Sequence, residues 1–513
     1  MSGIVKYWFF LLPFLLLISA CSSNKESEMY SKEEILARVG DEVITARDFQ
    51  LNYEFGFPHL MRSDDRKAEY LEKMVAELVL AKEGYKNGFH ERKNIQRAIQ
   101  TITEERLIEE VFQRHVLSKI EVDDNEIREE VQKMAVSFKF SFLPAQSKIH
   151  GEFLRNQLLE KPFEEVVQAM VIDAGLNEVN PDQFRSDLTP ALDIEPALLE
   201  HFKNLEVNTP SNPIEYQGQW YLFIVNSIVR DPLSPSDFAE KGVSARKIIY
   251  NRKAMEGAAR FVSETMDPLN VETVRVPFNA LAELMYQWYE NEDTPSGPFW
   301  EIVINKRDQK SYLADIYDLR DQTLVTTSEQ TWSVQAVLKK LNTGRYTMRS
   351  DNFREFSTRL ADVIGLVIRD NRLLKIADDE ELALDPNVQR EIQKWQNKWV
   401  FREMRTRILE EIPFNDSLVF DFVREEQFYP DELLSRHLNE LSEGQVNRFR
   451  SDYMSGKLME KANEIKNEFE VEIYYERLDT LQISHSSANP NMTFRLLKQH
   501  NNRQPFPVLD PVW

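Results

Sequence analysis

Cysteine is almost absent from the sequence, which has only Cys21 among 513 residues. One thiol cannot form an intramolecular disulfide, and it cannot supply a zinc site built from several thiolates. Packing alone must therefore hold the fold together.

Histidine and glycine are also scarce, with 8 and 15 residues. The histidines are scattered singly, and the sequence contains no His-Glu-x-x-His pair, no Gly-x-Ser-x-Gly motif and no glycine-rich phosphate loop. These absences argue against the common metallohydrolase, serine hydrolase and nucleotide sites. We expect no metal, no other cofactor and no nucleotide.

Positively charged residues are fewer than negatively charged ones: the sequence has 63 Lys and Arg and 85 Asp and Glu, for a net charge of -22. Phosphates would be repelled, so nucleic acid is not expected as a partner. The same charge argues against electrostatic attachment to an anionic lipid surface.

A membrane-spanning run is missing as well, since the apolar stretch from Tyr7 to Ile18 falls short of the roughly 20 residues that a transmembrane helix needs. It predicts a signal peptide over residues 1–20. Ser19-Ala20 directly before Cys21 resembles the bacterial lipobox, which implies cleavage there and lipid attachment at Cys21. The polar residues that follow, to residue 34, predict a flexible tether.

The predicted location is the cell envelope, with the folded part lipid-anchored and facing the periplasm. Ser22 and Ser23 carry no aspartate-type retention signal, which favours the outer membrane over the inner one.

Residues 35–130 predict a helical unit that opens with a short hairpin turning at Gly40. Thr45 and Asp48 have the spacing of a capping box, so a helix is expected to start directly after Thr45. Further helices are expected at about 71–88 and 93–117, and after a cap at Asp123 or Asp124.

This order of elements resembles the N-terminal domain of the SurA-like and PrsA-like periplasmic foldases, which belong to the PpiC-type parvulin family of peptidyl-prolyl isomerases. The resemblance is carried by Val-Gly-Asp-Glu-Val-Ile-Thr at 39–45 and by residues 71–89, where the family shows a glycine turn and a helix ending in Gly-Phe or Gly-Leu. It implies an α+β fold, predominantly helical, with SurA-N-like chaperone units, the first of which carries a parvulin-like α/β insert.

Residues 131–231 are interpreted as that insert, in degenerate form, with a first strand at 135–143 and a closing hairpin at 212–225. The resemblance places Phe140 and Trp220 where the family has its two catalytic-site histidines. No catalytic residue is therefore predicted, and both aromatic residues are candidate peptide-binding residues. Without an ordered polar network beside the proline, we expect weak or no isomerase activity.

A second helical unit without an insert is expected over 299–483. Residues 232–290 would form a returning helix and the closing strand of the first unit. Residues 291–298 would be a linker, and residues 484–513 an irregular tail. Strands at about 271–276 and 469–475 would each pair with the hairpin of their own unit, so fragment 35–290 would fold alone. The alternative is that the second unit is not a copy of the first, since any two helical segments can be aligned loosely.

The sequence favours a lipid-anchored periplasmic chaperone that holds unfolded or nascent secreted and outer-membrane polypeptides between its helical units and the parvulin-like module. One alternative is an active PpiC-type isomerase, which a protease-coupled assay would detect. The other is a structural lipoprotein that docks one fixed partner.

Overall fold

The computed structural model describes residues 35–57, 60, 65–173, 179–291, 297–346, 348, 350–426, 429–435, 440–483 and 506–513. The predicted signal peptide, Cys21 and the predicted tether lie outside the described residues. The fold is α+β and predominantly helical, as the sequence predicts.

The chain divides into two compact units. The split unit comprises Met1–Arg114 together with Val262–Trp513, and the inserted unit comprises His115–Phe261.

The helices follow one another along the chain as α1 (Ala46–Phe55), α2 (Arg66–Lys86), α3 (Lys93–His115), α4 (Asp124–Met134), α5 (Lys148–Glu160), α6 (Phe163–Asp173), α7 (Pro196–Lys203), α8 (Pro235–Met266), α9 (Arg275–Asn291), α10 (Phe299–Lys306), α11 (Ser311–Asp318), α12 (Val334–Lys340), α13 (Phe353–Asp379), α14 (Pro386–Glu411), α15 (Asp416–Glu426), α16 (Asp431–Leu434), α17 (Glu443–Lys466) and α18 (Tyr475–Thr480). The strands are β1 (Ile35–Val39), β2 (Glu42–Thr45), β3 (Val136–Ala145), β4 (Thr189–Pro190), β5 (Ile214–Tyr216), β6 (Gln219–Arg230), β7 (Glu272–Thr273), β8 (Thr323–Thr326), β9 (Thr331–Ser333) and β10 (Val471–Ile473).

Helix starts follow the local capping chemistry. Thr45 and Asp48 form the predicted capping box at α1, and Asp123 forms another with Glu126 at α4. A further capping box, formed by Ser442 and Gln445, starts α17.

The closing strands pair differently from the prediction. β10 pairs antiparallel with β1, so that Val39 faces Val471, whereas β7 pairs with β8 through Thr273 and Val325. The expectation that the strand at 271–276 returns to the first hairpin was wrong. The helix next to each closing strand decides its partner. α9, which follows β7, packs on α11 and α13 and so holds β7 beside β8. α17, which precedes β10, packs on α2 and so holds β10 beside β1.

Apolar cores form in several places in the split unit. One is formed by β1, β2, α1, α2, α14, α17 and residues 506–513, another by α9 to α13 with β8 and β9, and a smaller one by α15, α16 and α17. Residues 506–513, assigned by sequence to the irregular tail, thus belong to a core. Leu509 and Trp513 are only 2% and 4% exposed.

The inserted unit is built on an antiparallel sheet in the order β4-β3-β6-β5. The predicted first strand is β3, and the predicted closing hairpin is β5–β6, which turns at Gln217 and Gly218 with φ of 52° and 76°. At the two ends of the unit, the rings of His115 and Phe261 stack with their centroids 5.0 Å apart.

Candidate functional site

Phe140 lies within an aromatic cluster on one face of the inserted unit's sheet. It is half-buried, and its ring centroid is 4.8 Å from that of Phe202 on α7 and 6.2 Å from that of Phe223 on β6. Phe138 contacts the same Phe202 ring. These contacts make Phe140 part of the packing beneath α7.

Trp220 lies on the opposite face of that sheet. It faces Ala145 across the β3–β6 ladder, five positions along the strand from Phe140. The cause is a bulge at Asn226, since Lys139 faces Ser227 but Phe140 faces Val225. Without the bulge the register would place Trp220 on the face of Phe140. The structure therefore does not bring the two candidate residues into one cleft.

Polar chemistry on this sheet is limited. Ser141 is buried and donates a hydrogen bond to Asn226 Oδ1 at 2.8 Å. His150 and His201 lie on α5 and α7 rather than on a strand, and His150 Nδ1 accepts a hydrogen bond from the backbone of Gln146 at 3.1 Å. Among the described residues of the inserted unit, no imidazole lies on the sheet.

A groove opens in the split unit between β2, α1, α2 and α14, with a cavity of about 780 Å³. Its walls mix apolar side chains such as Leu51, Met74 and Leu78 with polar ones such as Asn52 and Lys394. We call this the α1–α14 groove.

Local sequence features set the groove's walls. Asp48, whose capping bond starts α1, also accepts from Lys394 Nζ of α14 at 2.7 Å. Burial alone would lower the pKa of Lys394, but Asp48 and Glu391 outweigh that effect and raise it. A Cβ on Gly84 would lie 2.6 Å from Val400 Cγ1, so glycine there permits the close approach of α2 and α14.

Residues 506–513, with the sequence Phe-Pro-Val-Leu-Asp-Pro-Val-Trp, run along the α1–α14 groove: residues 506–509 line its wall, and residues 510–513 form a turn in which Trp513 N donates to Asp510 O at 3.3 Å. The Asn52 amide contacts its backbone twice: Oδ1 accepts from Leu509 N at 2.8 Å, and Nδ2 donates to Pro507 O at 3.4 Å. Glu77 Oε2 accepts from Asp510 N at 3.1 Å. These contacts engage the main chain, which every peptide has.

The Asp510 side chain is 1% exposed and meets three cations of α14. Its oxygens lie 2.5 Å from Arg405 Nη1, 3.4 Å from Arg402 Nε and 3.8 Å from Lys398 Nζ. Burial would raise the pKa of Asp510, but these cations and the Val512 N–H outweigh it and hold the pKa below its usual range. Burial lowers the pKa of Lys398, against the opposing pull of Glu77 and Asp510.

Trp513 closes the contact at the far end of the segment. Its ring stacks on Phe401 with centroids 5.7 Å apart and planes at 18°. Its Nε1 donates to Glu77 Oε2 at 3.1 Å. Glu77 thus binds the segment at two points while its other oxygen accepts from Lys398 at 2.8 Å.

Sequence reasoning missed this groove because its members come from positions 45–81, 387–405 and 506–513. Two signals were present. The residues at 506–513 are far more apolar than the polar tail before them, and Lys398, Arg402 and Arg405 have the four- and three-residue spacing of one helix face.

Other site types were not found in the described part of the chain. No group of three or more His, Cys, Asp or Glu residues there is placed to hold a metal ion. No described helix is both long enough and apolar enough to cross a membrane.

No protein-family model matches the chain, and no curated protein matches it either. Among solved structures, it is similar to the peptidylprolyl isomerase PrsA of Bacillus anthracis, at 12% identity over 36% of this chain and 88% of that one, with a TM-score of 0.21. PrsA of Bacillus cereus matches at 13% over 44% and 86%, with a TM-score of 0.22. The foldase protein PrsA of Streptococcus pneumoniae matches at 13% over 42% and 85%, with a TM-score of 0.20. Similarity at this level carries no conclusion about activity.

Proposed function

We propose that this protein is a polypeptide-holding chaperone of the cell envelope with weak or no prolyl isomerase activity. Its clients would be unfolded or nascent secreted and outer-membrane proteins. The observation that carries the proposal is the segment 506–513, a length of polypeptide that is held along the α1–α14 groove by hydrogen bonds to its main chain.

The groove has the properties that an unfolded client requires. Asn52 and Glu77 hydrogen-bond to main-chain groups, which do not depend on the client's sequence. Leu51, Met74 and Leu78 offer half-buried apolar contact in a cavity of about 780 Å³ that segment 506–513 leaves open. Such a site would bind apolar chain segments weakly and without nucleotide.

The inserted unit supports the second half of the proposal. Prolyl isomerisation has a barrier of about 20 kcal/mol, and its catalysis needs a preorganised pocket. Phe140 packs into an aromatic cluster, and Trp220 lies on the other face of the sheet. These positions offer apolar surface rather than an ordered polar network.

We propose further that a lipid at Cys21 attaches the protein to a membrane, the outer one being favoured. Metabolic labelling with palmitate tests this, because the parent should incorporate label and Cys21→Ser should not. Equal labelling of both would exclude Cys21 as the attachment site.

Suppression of aggregation tests the holding function. The full chain, at near-stoichiometric amounts, should keep a denatured client soluble, and Leu51→Gln with Leu78→Gln should weaken this because both line the groove. Leu418→Gln makes the same chemical change at an exposed position of α15 and should leave holding intact.

The same samples can be assayed for a proline-limited refolding step. Little acceleration is expected. Strong acceleration, with holding unaffected by the groove variants, would favour an active isomerase instead.

A further inference from the structure

Three cations of α14 converge on one carboxylate, in a chain whose net charge is -22. Lys398, Arg402 and Arg405 are spaced by four and three residues, so they share one face of the helix. Lys398 is almost fully buried, with 3% side-chain exposure, and it has Glu77 as its other partner. Without Asp510, this face of α14 would be cationic, with Glu77 still paired to Lys398.

An aromatic contact follows the buried carboxylate at a fixed spacing along the segment. Trp513 follows Asp510 by three residues and is held by ring stacking on Phe401 and by a hydrogen bond to Glu77. A backbone N–H···Oδ1 bond of 3.2 Å from Val512 to Asp510 shapes the turn that sets this spacing. This part of the fold therefore holds a carboxylate at one position and an indole three residues later.

The segment fills only part of the groove. Phe506 to Leu509 line the cavity of about 780 Å³ rather than closing it. Hydrogen bonds and ion pairs from side chains hold the segment, and within the described residues it joins no strand of a sheet. It is placed as a bound peptide would be.

We propose that the α1–α14 groove is a selective peptide site. It takes a peptide that presents a carboxylate to Lys398, Arg402 and Arg405 and, three residues further on and after a turn, an aromatic side chain to Phe401 and Glu77. Segment 506–513 is its tethered competitor.

This inference rests on the proposed function and adds a ligand class and a form of regulation. A segment on the same chain competes as an intramolecular ligand, so a free peptide must displace it. Clients that carry an acidic and an aromatic residue at this spacing would displace the segment best, because they can form both the ion pairs of Asp510 and the ring contact of Trp513.

A labelled synthetic peptide, Phe-Pro-Val-Leu-Asp-Pro-Val-Trp, tests the proposal by fluorescence anisotropy with the full chain. Asp510→Asn should weaken the tethered segment and tighten binding of the free peptide by about tenfold or more relative to the parent. Asp421→Asn removes the same charge at an exposed site on α15 and should behave as the parent does.

Selectivity is measured in the Asp510→Asn chain. A peptide with asparagine in place of its aspartate, or with alanine in place of its tryptophan, should bind at least about tenfold more weakly, since a charge-assisted contact or a stacked indole is lost. Arg402→Gln with Arg405→Gln should also weaken the acidic peptide. Both arginines are partly exposed, so their loss should be tolerated by the fold.

Equal binding of the acidic and neutral peptides would overturn the proposal, as would equal affinity in the parent and Asp510→Asn or no binding to either chain. These failures differ from failure of the holding function. A chain that holds clients but ignores the peptide refutes only the peptide site, whereas one that binds the peptide but holds no client refutes only the chaperone.

Discussion

Phe140 and Trp220 hold equivalent places in the sequence motif but have different surroundings in the sheet. Phe140 contacts Phe202 and Phe223, and Trp220 sits beyond the bulge at Asn226. The motif identifies the two positions, but the one extra residue in β6 at the bulge places Trp220 on the opposite face of the sheet from Phe140. A bulge of this kind depends on the long β3–β6 pairing and has no clear local signature.

Substitution should separate the two residues. Phe140→Ala should lower the free energy of unfolding by about 2 kcal/mol, somewhat less than for a fully buried phenylalanine. Trp220→Ala should disturb stability less and, if clients touch the indole, weaken client binding by about 1–3 kcal/mol. Calorimetry of the full chain and a client titration measure these effects. The same stability loss in both variants would contradict the assignment.

Acid should release segment 506–513 from its groove. Contacts that hold the pKa of Asp510 below its usual value of 3.8 stabilise docking at higher pH. That stabilisation is complete above the pKa of the undocked residue and is lost as pH falls through the lower, docked value. The charged groups around Asp510 are Lys398, Arg402 and Arg405 of α14 and Glu77 of α2, which accepts from the Asp510 N–H.

Hydrogen exchange of the Leu509 and Asp510 amides, corrected for intrinsic rates, checks this prediction. Protection should be high at pH 6 and decline below about pH 4. Asp510→Asn should remove this pH dependence. Unchanged protection at pH 3 in the parent would contradict it.

At the scale of elements, the seam between α2 and α14 determines the width of the groove. Gly84→Ala would bring its Cβ to 2.6 Å from Val400, forcing the helices apart at a cost of about 1–3 kcal/mol. Gly365→Ala is the matched control, because nothing lies within 4 Å of the added Cβ in α13. That change should be neutral or slightly stabilising.

Thermal unfolding measures both variants, and peptide affinity reports on the groove. A Gly84→Ala chain as stable as Gly365→Ala would show that the helices do not approach as closely as described.

Local elements were predictable because their signals are local. The caps at Thr45 and Asp123 place hydrogen-bond acceptors within three residues of the N–H groups that they serve. Strand partners were not, since Val-Glu-Thr at 271–273 and Val-Glu-Ile at 471–473 are nearly alike. Only the packing of α9 and α17 decides which hairpin each strand joins.

At the scale of the whole molecule, the split unit depends on both ends of the described chain. β1 lies between β2 and β10, and α2 packs against α14. A fragment that stops at residue 290 loses β10, α14 and α17 together. The sequence suggested two successive units because each was expected to contain a hairpin, helices and a closing strand in that order. That order does not reveal that the closing strands are exchanged, with β10 pairing with β1 and β7 with β8.

Fragment 35–290 should therefore fail to fold alone and should aggregate through the unpaired edge of β1. Adding fragment 291–513 should restore a folded complex. The inserted unit, 115–261, should fold independently, because His115 and Phe261 meet and its cores are formed by its own residues. Circular dichroism with urea unfolding measures all three. Cooperative unfolding of 35–290 by itself would contradict the strand exchange.

The central claim is that the α1–α14 groove binds polypeptide. Site-specific photo-crosslinking tests it most directly, with benzoylphenylalanine in place of Met74, which lines the groove, or of Leu418, which is exposed on α15. With a denatured client present, crosslinks should form from position 74 and not from position 418. Equal yields from the two positions, or none from position 74 while the client stays soluble, would contradict the claim.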